Sequence, residues 1–237
     1  MAIPFFSIDM TGSDWKAYLR GLLNHGEWLG HASNALKSNL GKRFSEHHVI
    51  LLPSARLGFY ALLKSTFQPG DEVIFSALSF PLYIKIALQI GLKPILVDVE
   101  PENLNLDPDR LKKAITAKTK AIVVTHLFGH PAQIDVISSI AHDCGVSVIE
   151  DCAQSYDSYY EGRESGTFGW AGIFSCSLMK VPTTLGGGVL ITKDDDVAHK
   201  IKKLIKEQEC SVGALASAMY HLKGIISILN SHPILYT

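Results

Sequence analysis

The chain predicts an α/β protein, a three-layer domain in which a mostly parallel sheet is flanked by helices. Three observations carry that expectation. Short apolar runs alternate with helical patterns through the middle of the chain, as in successive βαβ units. Each run is too short and too uniformly apolar to have a wet face, which suits strands covered on both sides. The boundaries are punctuated: Gln68-Pro69-Gly70-Asp71 closes one helix, and Asp107-Pro108 opens another with a cap followed by proline in the first turn.

In order, helical patterns open the chain at about Gly12–Leu23 and Ser33–Leu40. Candidate strands follow at Val49–Leu52, Glu72–Phe75, Pro94–Val97, Ala121–Thr125 and Val146–Glu150. Helices are expected between them at Ala55–Thr66, Pro81–Ile90, Pro108–Ile115 and Ile134–Cys144. From Gly166 the pattern changes. Ala171–Cys176 and Gly188–Thr192 read as two strands on either side of a lysine-bearing turn, and Asp194-Asp195-Asp196 opens a basic amphipathic helix over Val197–Glu207. With 237 residues, 47% of them apolar, the chain can bury a sizeable core as one large domain.

Composition excludes several classes. The formal net charge is -1 with 19% charged residues, so nothing electrostatic calls for nucleic acid or an anionic membrane. Cys144, Cys152, Cys176 and Cys210 are widely spaced with no C-x-x-C pair, which suggests neither a metal site nor a disulfide framework and fits reduced thiols in the cytoplasm. The N-terminus lacks the basic start and long apolar stretch of a signal peptide. His221, Lys223, Asn230, His232 and Pro233 interrupt the apolar stretch Val212–Tyr236, so a packed or interfacial helix is expected there rather than a membrane span.

Ligands of open α/β sheets sit at the carboxyl ends of strands, and four segments place useful groups there. Ser54-Ala55-Arg56 lies where a strand meets a helix, so backbone N–H groups, the Ser54 hydroxyl and the Arg56 fork could hold an anion, although any capped helix reads similarly. Phe80 follows a strand and could lie flat on a ring or simply fill the core. Glu150-Asp151 ends a buried strand, where acids need a partner: a cationic ligand, a buried arginine or a helix start. Ser175 and Lys180 flank a turn before Gly186-Gly187-Gly188; a lone loop lysine is usually only solvated, but one placed between apolar strands is less easily dismissed, since desolvation makes a better imine-forming amine. A carboxylate ending one strand, with serine and lysine at the edge of a second, is what a pyridoxal 5'-phosphate enzyme requires. The lysine carries the cofactor, the carboxylate keeps its ring nitrogen protonated, and the hydroxyl takes a phosphate oxygen.

A wider set of segments agrees. Ser54-Ala55-Arg56, Pro69–Ile74, Val97-Asp98-Val99, His126–Pro131, Glu150–Gln154, Gly166–Gly169, Phe174-Ser175, Lys180 and Gly186–Gly188 stand in the order and spacing of a known family. From about Ile3 to Lys206 the chain resembles the DegT/DnrJ/EryC1/StrS sugar aminotransferases, pyridoxal-phosphate-dependent homodimers of fold type I. The resemblance implies transfer of an amino group from an amino acid, glutamate above all, to a nucleotide-linked keto sugar, for polysaccharide or glycan precursors. It implies Lys180 as the imine-forming lysine and proton shuttle of a ping-pong cycle. It also implies Asp151 at the pyridinium nitrogen, Gln154 near the ring, Phe80 stacked on it, and Ser175, Ser54, Ala55 and Arg56 at the phosphate. His126 matches a motif histidine of undefined role. Related sugar dehydratases carry histidine in place of this lysine.

Two local departures stand out. The phosphate turn more often reads Ser-Gly-Thr in the family, and Arg56 can replace the lost hydroxyl. Residues 181–185 lack an acid often found before the glycines. Family members continue into a smaller C-terminal domain, so residues 1–210 are expected to be the cofactor-binding domain and 211–237 the start of a truncated helical region. Besides the aminotransferase, a non-catalytic remnant that binds cofactor or a partner chain therefore stands as a second expectation.

Overall fold

A computed structural model of the protein describes residues 11–13, 16, 27–177, 179–184 and 186–207. The expected helix Gly12–Leu23 falls largely outside these residues, as do the boundary at 210 and the stretch Val212–Tyr236. The chain divides into two compact units, Leu40–Gln208 and Met1–Asn39 with Glu209–Thr237. The first carries the sheet and every side chain described below.

Helix α1 (Glu27–Arg43) leads into β1 (His48–Leu52). There follow α2 (Ala55–Thr66), β2 (Glu72–Ser76), α3 (Pro81–Gln89), β3 (Lys93–Val97), α4 (Pro108–Ala114), β4 (Thr119–Thr125), α5 (Ile134–Asp143) and β5 (Ser147–Asp151). A short hairpin, β6 (Tyr159–Tyr160) and β7 (Arg163–Glu164), precedes β8 (Ala171–Ser175), β9 (Gly188–Thr192) and α6 (Asp195–Glu207). Seven strands form one sheet in the order β1-β9-β8-β5-β4-β2-β3. Strands β3, β2, β4, β5 and β8 pair in parallel, and β9 pairs antiparallel with both β8 and β1. Only β9 therefore runs against the rest, and its first residues reach the edge where the other six strands end.

The two faces of the sheet bury separate apolar clusters. Ile149, Val123, Phe75, Ile173 and Leu190 pack with Phe59 and Leu62 of α2, Tyr83 of α3 and Ile201 of α6. On the opposite face Val148, Val124, Ile122 and Ile74 pack with Leu111 of α4 and Ile137 of α5. Alternation along each strand makes this division, since neighbouring side chains point to opposite faces.

The expected caps form. The Asp107 carboxylate accepts from the N–H groups of Asp109 and Arg110 at 2.9 and 3.0 Å, and Asp194 caps α6 by accepting from the Val197 N–H at 3.0 Å. Two features differ from the expectation. Strand β3 is the sheet's edge and is half wet, with Leu96 57% exposed, a position at which Pro94 removes no needed donor. The β6–β7 hairpin turns on Glu161 and Gly162, both at positive φ (49° and 75°), the two-residue geometry that matches strand twist. Among the described residues no helix is long and apolar enough to cross a membrane.

Candidate functional site

The carboxyl edge of the sheet gathers the predicted residues. Asp151 ends β5, Ser175 ends the adjacent β8, and Gly188 begins β9 next to it. Ser54 caps α2 just beyond β1, and Phe80 caps α3 just beyond β2. Lys180 follows β8, half-buried in a turn where its N–H donates to the Ser177 carbonyl at 2.9 Å.

Asp151 is 3% exposed, and its hydrogen bonds are few. One carboxylate oxygen accepts from the Ala153 N–H at 3.1 Å. The other has only a long 3.4 Å contact from the Thr125 hydroxyl, which also reaches Ser79 at 3.4 Å. Burial pushes the carboxyl above its ordinary value, while the Ala153 N–H, then His126 and Lys180, pull the other way. No salt bridge to Asp151 or Lys180 occurs among the described residues. A buried carboxylate so thinly paired is costly unless a cation meets it.

The start of α2 is built from backbone. The Ser54 Oγ accepts from the Leu57 N–H at 3.2 Å, which leaves the first-turn N–H groups of Ala55 and Arg56 without helical acceptors. Gly188 packs against this turn so tightly that a Cβ there would lie 2.4 Å from the Ala55 nitrogen. Any other residue would push the turn out of place. Arg56 is exposed, free to swing a guanidinium over the helix start. The Ser175 hydroxyl donates to Ser177 Oγ at 3.1 Å. Ser177 touches a predicted residue and was not named by the sequence reading, as is true of Thr125, although both are polar residues at or near strand ends.

Phe80 is 46% exposed and meets Tyr83 edge-on, with ring centres 5.6 Å apart at 87°. The Gln154 amide oxygen accepts from the Phe128 N–H at 3.2 Å. That contact orients the amide and leaves its NH₂ group without a hydrogen bond among the described residues.

Glu150 and His126 form the reverse of the Asp151 arrangement. Both are 0% exposed and lie on the opposite face. One Glu150 oxygen accepts from His126 Nε2 at 3.0 Å and from the Gly166 N–H at 2.6 Å, and the other accepts from the Gly169 N–H at 2.6 Å. His126 Nδ1 accepts from the Ala132 N–H at 3.0 Å, so the geometry assigns the proton to Nε2. The motif histidine thus acquires a role as a brace joining the end of β4 to β5, and Glu150 ties both to the turn before β8. The ligating atoms of His126, Glu150 and Cys152 approach within 4.8 Å of one another. Those of Glu150 and His126 are already engaged in hydrogen bonds within the protein, and burial pushes the Cys152 thiol well above its ordinary value.

A model of the DegT/DnrJ/EryC1/StrS aminotransferase family matches residues 10–221. The chain belongs to that family. Solved relatives agree with the assignment. The aminotransferase from Psychrobacter cryohalolentis is 30% identical with a TM-score of 0.78, over 84% of this chain and 51% of that one. The sugar aminotransferase CalS13 from Micromonospora echinospora is 28% identical with a TM-score of 0.75, over 85% of this chain and 57% of that one. E. coli GDP-4-keto-6-deoxy-D-mannose-3-dehydratase, solved with bound hydrated PLP, is 26% identical with a TM-score of 0.76, over 84% and 53%. The chain spans about half the length of the solved structures it matches. Within the DegT/DnrJ/EryC1/StrS family, the seven-stranded sheet between two helical layers is the fold-type-I aminotransferase architecture.

Proposed function

We propose that this chain is the cofactor-binding part of a pyridoxal-phosphate-dependent aminotransferase. It would move an amino group from an amino acid, glutamate in the first instance, to a nucleotide-linked keto sugar, as a cytoplasmic step toward polysaccharide or glycan precursors. The observation that carries the reading is Asp151. It is a buried, thinly paired carboxylate at the same sheet edge as Lys180, and the lysine's charge acts on it.

Pyridoxal phosphate fits these residues. When bound, its protonated ring supplies an electron sink for carbanion chemistry. Asp151 would hold the ring-nitrogen proton, gaining the cation that its burial lacks. Ser54, Ala55, Arg56 and Ser175 would take the phosphate, Phe80 would cover the ring, and the free Gln154 NH₂ would donate beside it. Lys180 would bind the cofactor, then as a free amine hold and move a proton at the Nζ atom. Lysine at this position favours amino transfer over the dehydratase chemistry of the E. coli relative. Leu78, Phe80, Phe128, Met179 and Val181 are 46%, 46%, 73%, 55% and 81% exposed on loops that leave strand ends. A second copy of the chain would cover them in a homodimer.

The half-length match gives a second reading, a non-catalytic remnant that binds cofactor or a partner chain. Both are tested by the visible absorption of purified protein incubated with pyridoxal phosphate, before and after borohydride, with Lys180→Ala as control. A reducible coloured adduct that Lys180→Ala lacks is expected, and its absence from the wild type sinks the cofactor site. Glutamate should then convert the adduct to the aminated cofactor. An adduct inert to every amino donor would leave the remnant.

A further inference from the structure

Tyr83, in the first turn of α3, is a buried titratable group that none of the roles above uses. Its side chain is only 2% exposed. Its ring is locked by a stacked contact with Phe59, centres 4.1 Å apart at 20°, and by the edge-on contact with Phe80. The hydroxyl makes no hydrogen bond to any group among the described residues. A phenol whose ring is this buried normally has a partner for its O–H; this oxygen has none and is not sealed from solvent, so it is either merely wetted or reserved for something that arrives.

Its surroundings say which. The titratable groups that act on the hydroxyl are Asp151 at the end of β5, Cys152 just after it and Arg56 of α2. Asp151 and Arg56 mark the two ends of the site proposed above, the ring-nitrogen end and the phosphate end. Burial, reinforced by the negative charge of Asp151, pushes the phenol well above its ordinary value and keeps it a donor.

We infer that Tyr83 is a further ligand-binding residue of this site, its O–H donating to an acceptor on the phosphorylated pyridine that lodges between Arg56 and Asp151. The inference rests on the cofactor reading and deepens it. The Phe59 stack fixes the hydroxyl in advance, so little entropy is lost when the bond forms. A single neutral hydrogen bond made in a desolvated site sets the size of the expected effect.

The test is Tyr83→Phe, which removes the hydroxyl and keeps both ring contacts. Pyridoxal phosphate is titrated into wild type and variant, with the dissociation constant and visible spectrum as readouts, and the melting temperature is recorded without cofactor. The expected result is about tenfold weaker binding, some 1.4 kcal/mol, with a shifted absorption band and an unchanged cofactor-free melting temperature. Affinity within twofold of wild type and the same band would overturn the inference while leaving the cofactor site standing. A fall of several degrees in the cofactor-free melting temperature would also overturn it, by showing that the hydroxyl serves the fold. Wild type that binds no pyridoxal phosphate defeats the cofactor reading, and this inference with it.

Discussion

Glu150 and Asp151 are adjacent, both acidic and both buried, yet they meet opposite fates. Alternation along β5 sends one to each face. Glu150 accepts from three N–H donors, two of them backbone groups of the Gly166–Gly169 turn. Asp151 accepts one good bond, and a long contact stands in for a second. A satisfied buried acid is part of the scaffold, and an undersatisfied one at a sheet edge is open to a ligand that would bring the missing charge. The pair separates the two cases within a single peptide unit.

The contrast breaks most visibly at Glu150. Glu150→Ala should cost about 3–5 kcal/mol of unfolding free energy, because it orphans two buried donors and a part-buried one. Urea denaturation measures it, and a loss under about 1 kcal/mol would erase the distinction. Asp151→Asn should shift stability the other way. Burial raises the folded carboxyl above its unfolded value, so its stabilising contribution is present below the unfolded pKa of about 4. That contribution is lost as pH rises through the folded value. The cofactor-free variant should therefore match wild type at pH 4 and melt higher at pH 7, by about 2–4 °C per kcal/mol relieved, while binding pyridoxal phosphate far more weakly. A variant less stable than wild type at pH 7 would make Asp151 structural too.

The smallest effect belongs to a charge in a third environment. The Arg43 Nε donates to both oxygens of Glu164 at 2.9 and 3.0 Å, and its guanidinium also pairs with Asp157 and lies 4.5 Å over the Tyr156 ring. With 28% of the side chain exposed, Arg43→Ala should cost about 1 kcal/mol or less. The loss should shrink in high salt. A salt-independent loss would show that packing on Tyr156, not charge, holds the end of α1.

Much of the fold was legible because its signals are local. Apolar runs and caps placed β1, β2, β4, β5, α4 and α6 to within two residues at either end. The Asp107-Pro108 start holds because a carboxylate and a proline each settle a first-turn N–H without help from distant residues. The hairpin at Tyr159–Glu164 escaped notice although Glu161-Gly162 was a usable two-residue turn signal. The half-wet face of β3 could not be read, since edge or centre is decided by strand order and not by the strand itself.

For the site, Asp151, Ser175, Lys180 and Ser54 were nameable from their strand ends, and the structure places all four at one sheet edge. The role of His126 was not, because its partners come from β5 and from Ala132, and only pairing in space reveals that both ring nitrogens are engaged. The acidic pair needed its faces resolved: among the described residues neither a buried arginine nor a helix start meets Glu150, and two glycine N–H groups and His126 serve instead.

Strand β1 has one sheet partner, β9, and the Ser54 turn leans on Gly187 and Gly188 at its start. On the ribosome β1 emerges early, but β9 is made only after most of the sheet. At usual synthesis rates the turn waits on the order of ten seconds for its support. Helix α2 can form meanwhile, and β2 through β5 can pair in the order they appear. The Ser54 turn, where the proposed phosphate site lies, is thus the last part of the sheet to assemble, and the strand most exposed to wrong partners during that interval is β1.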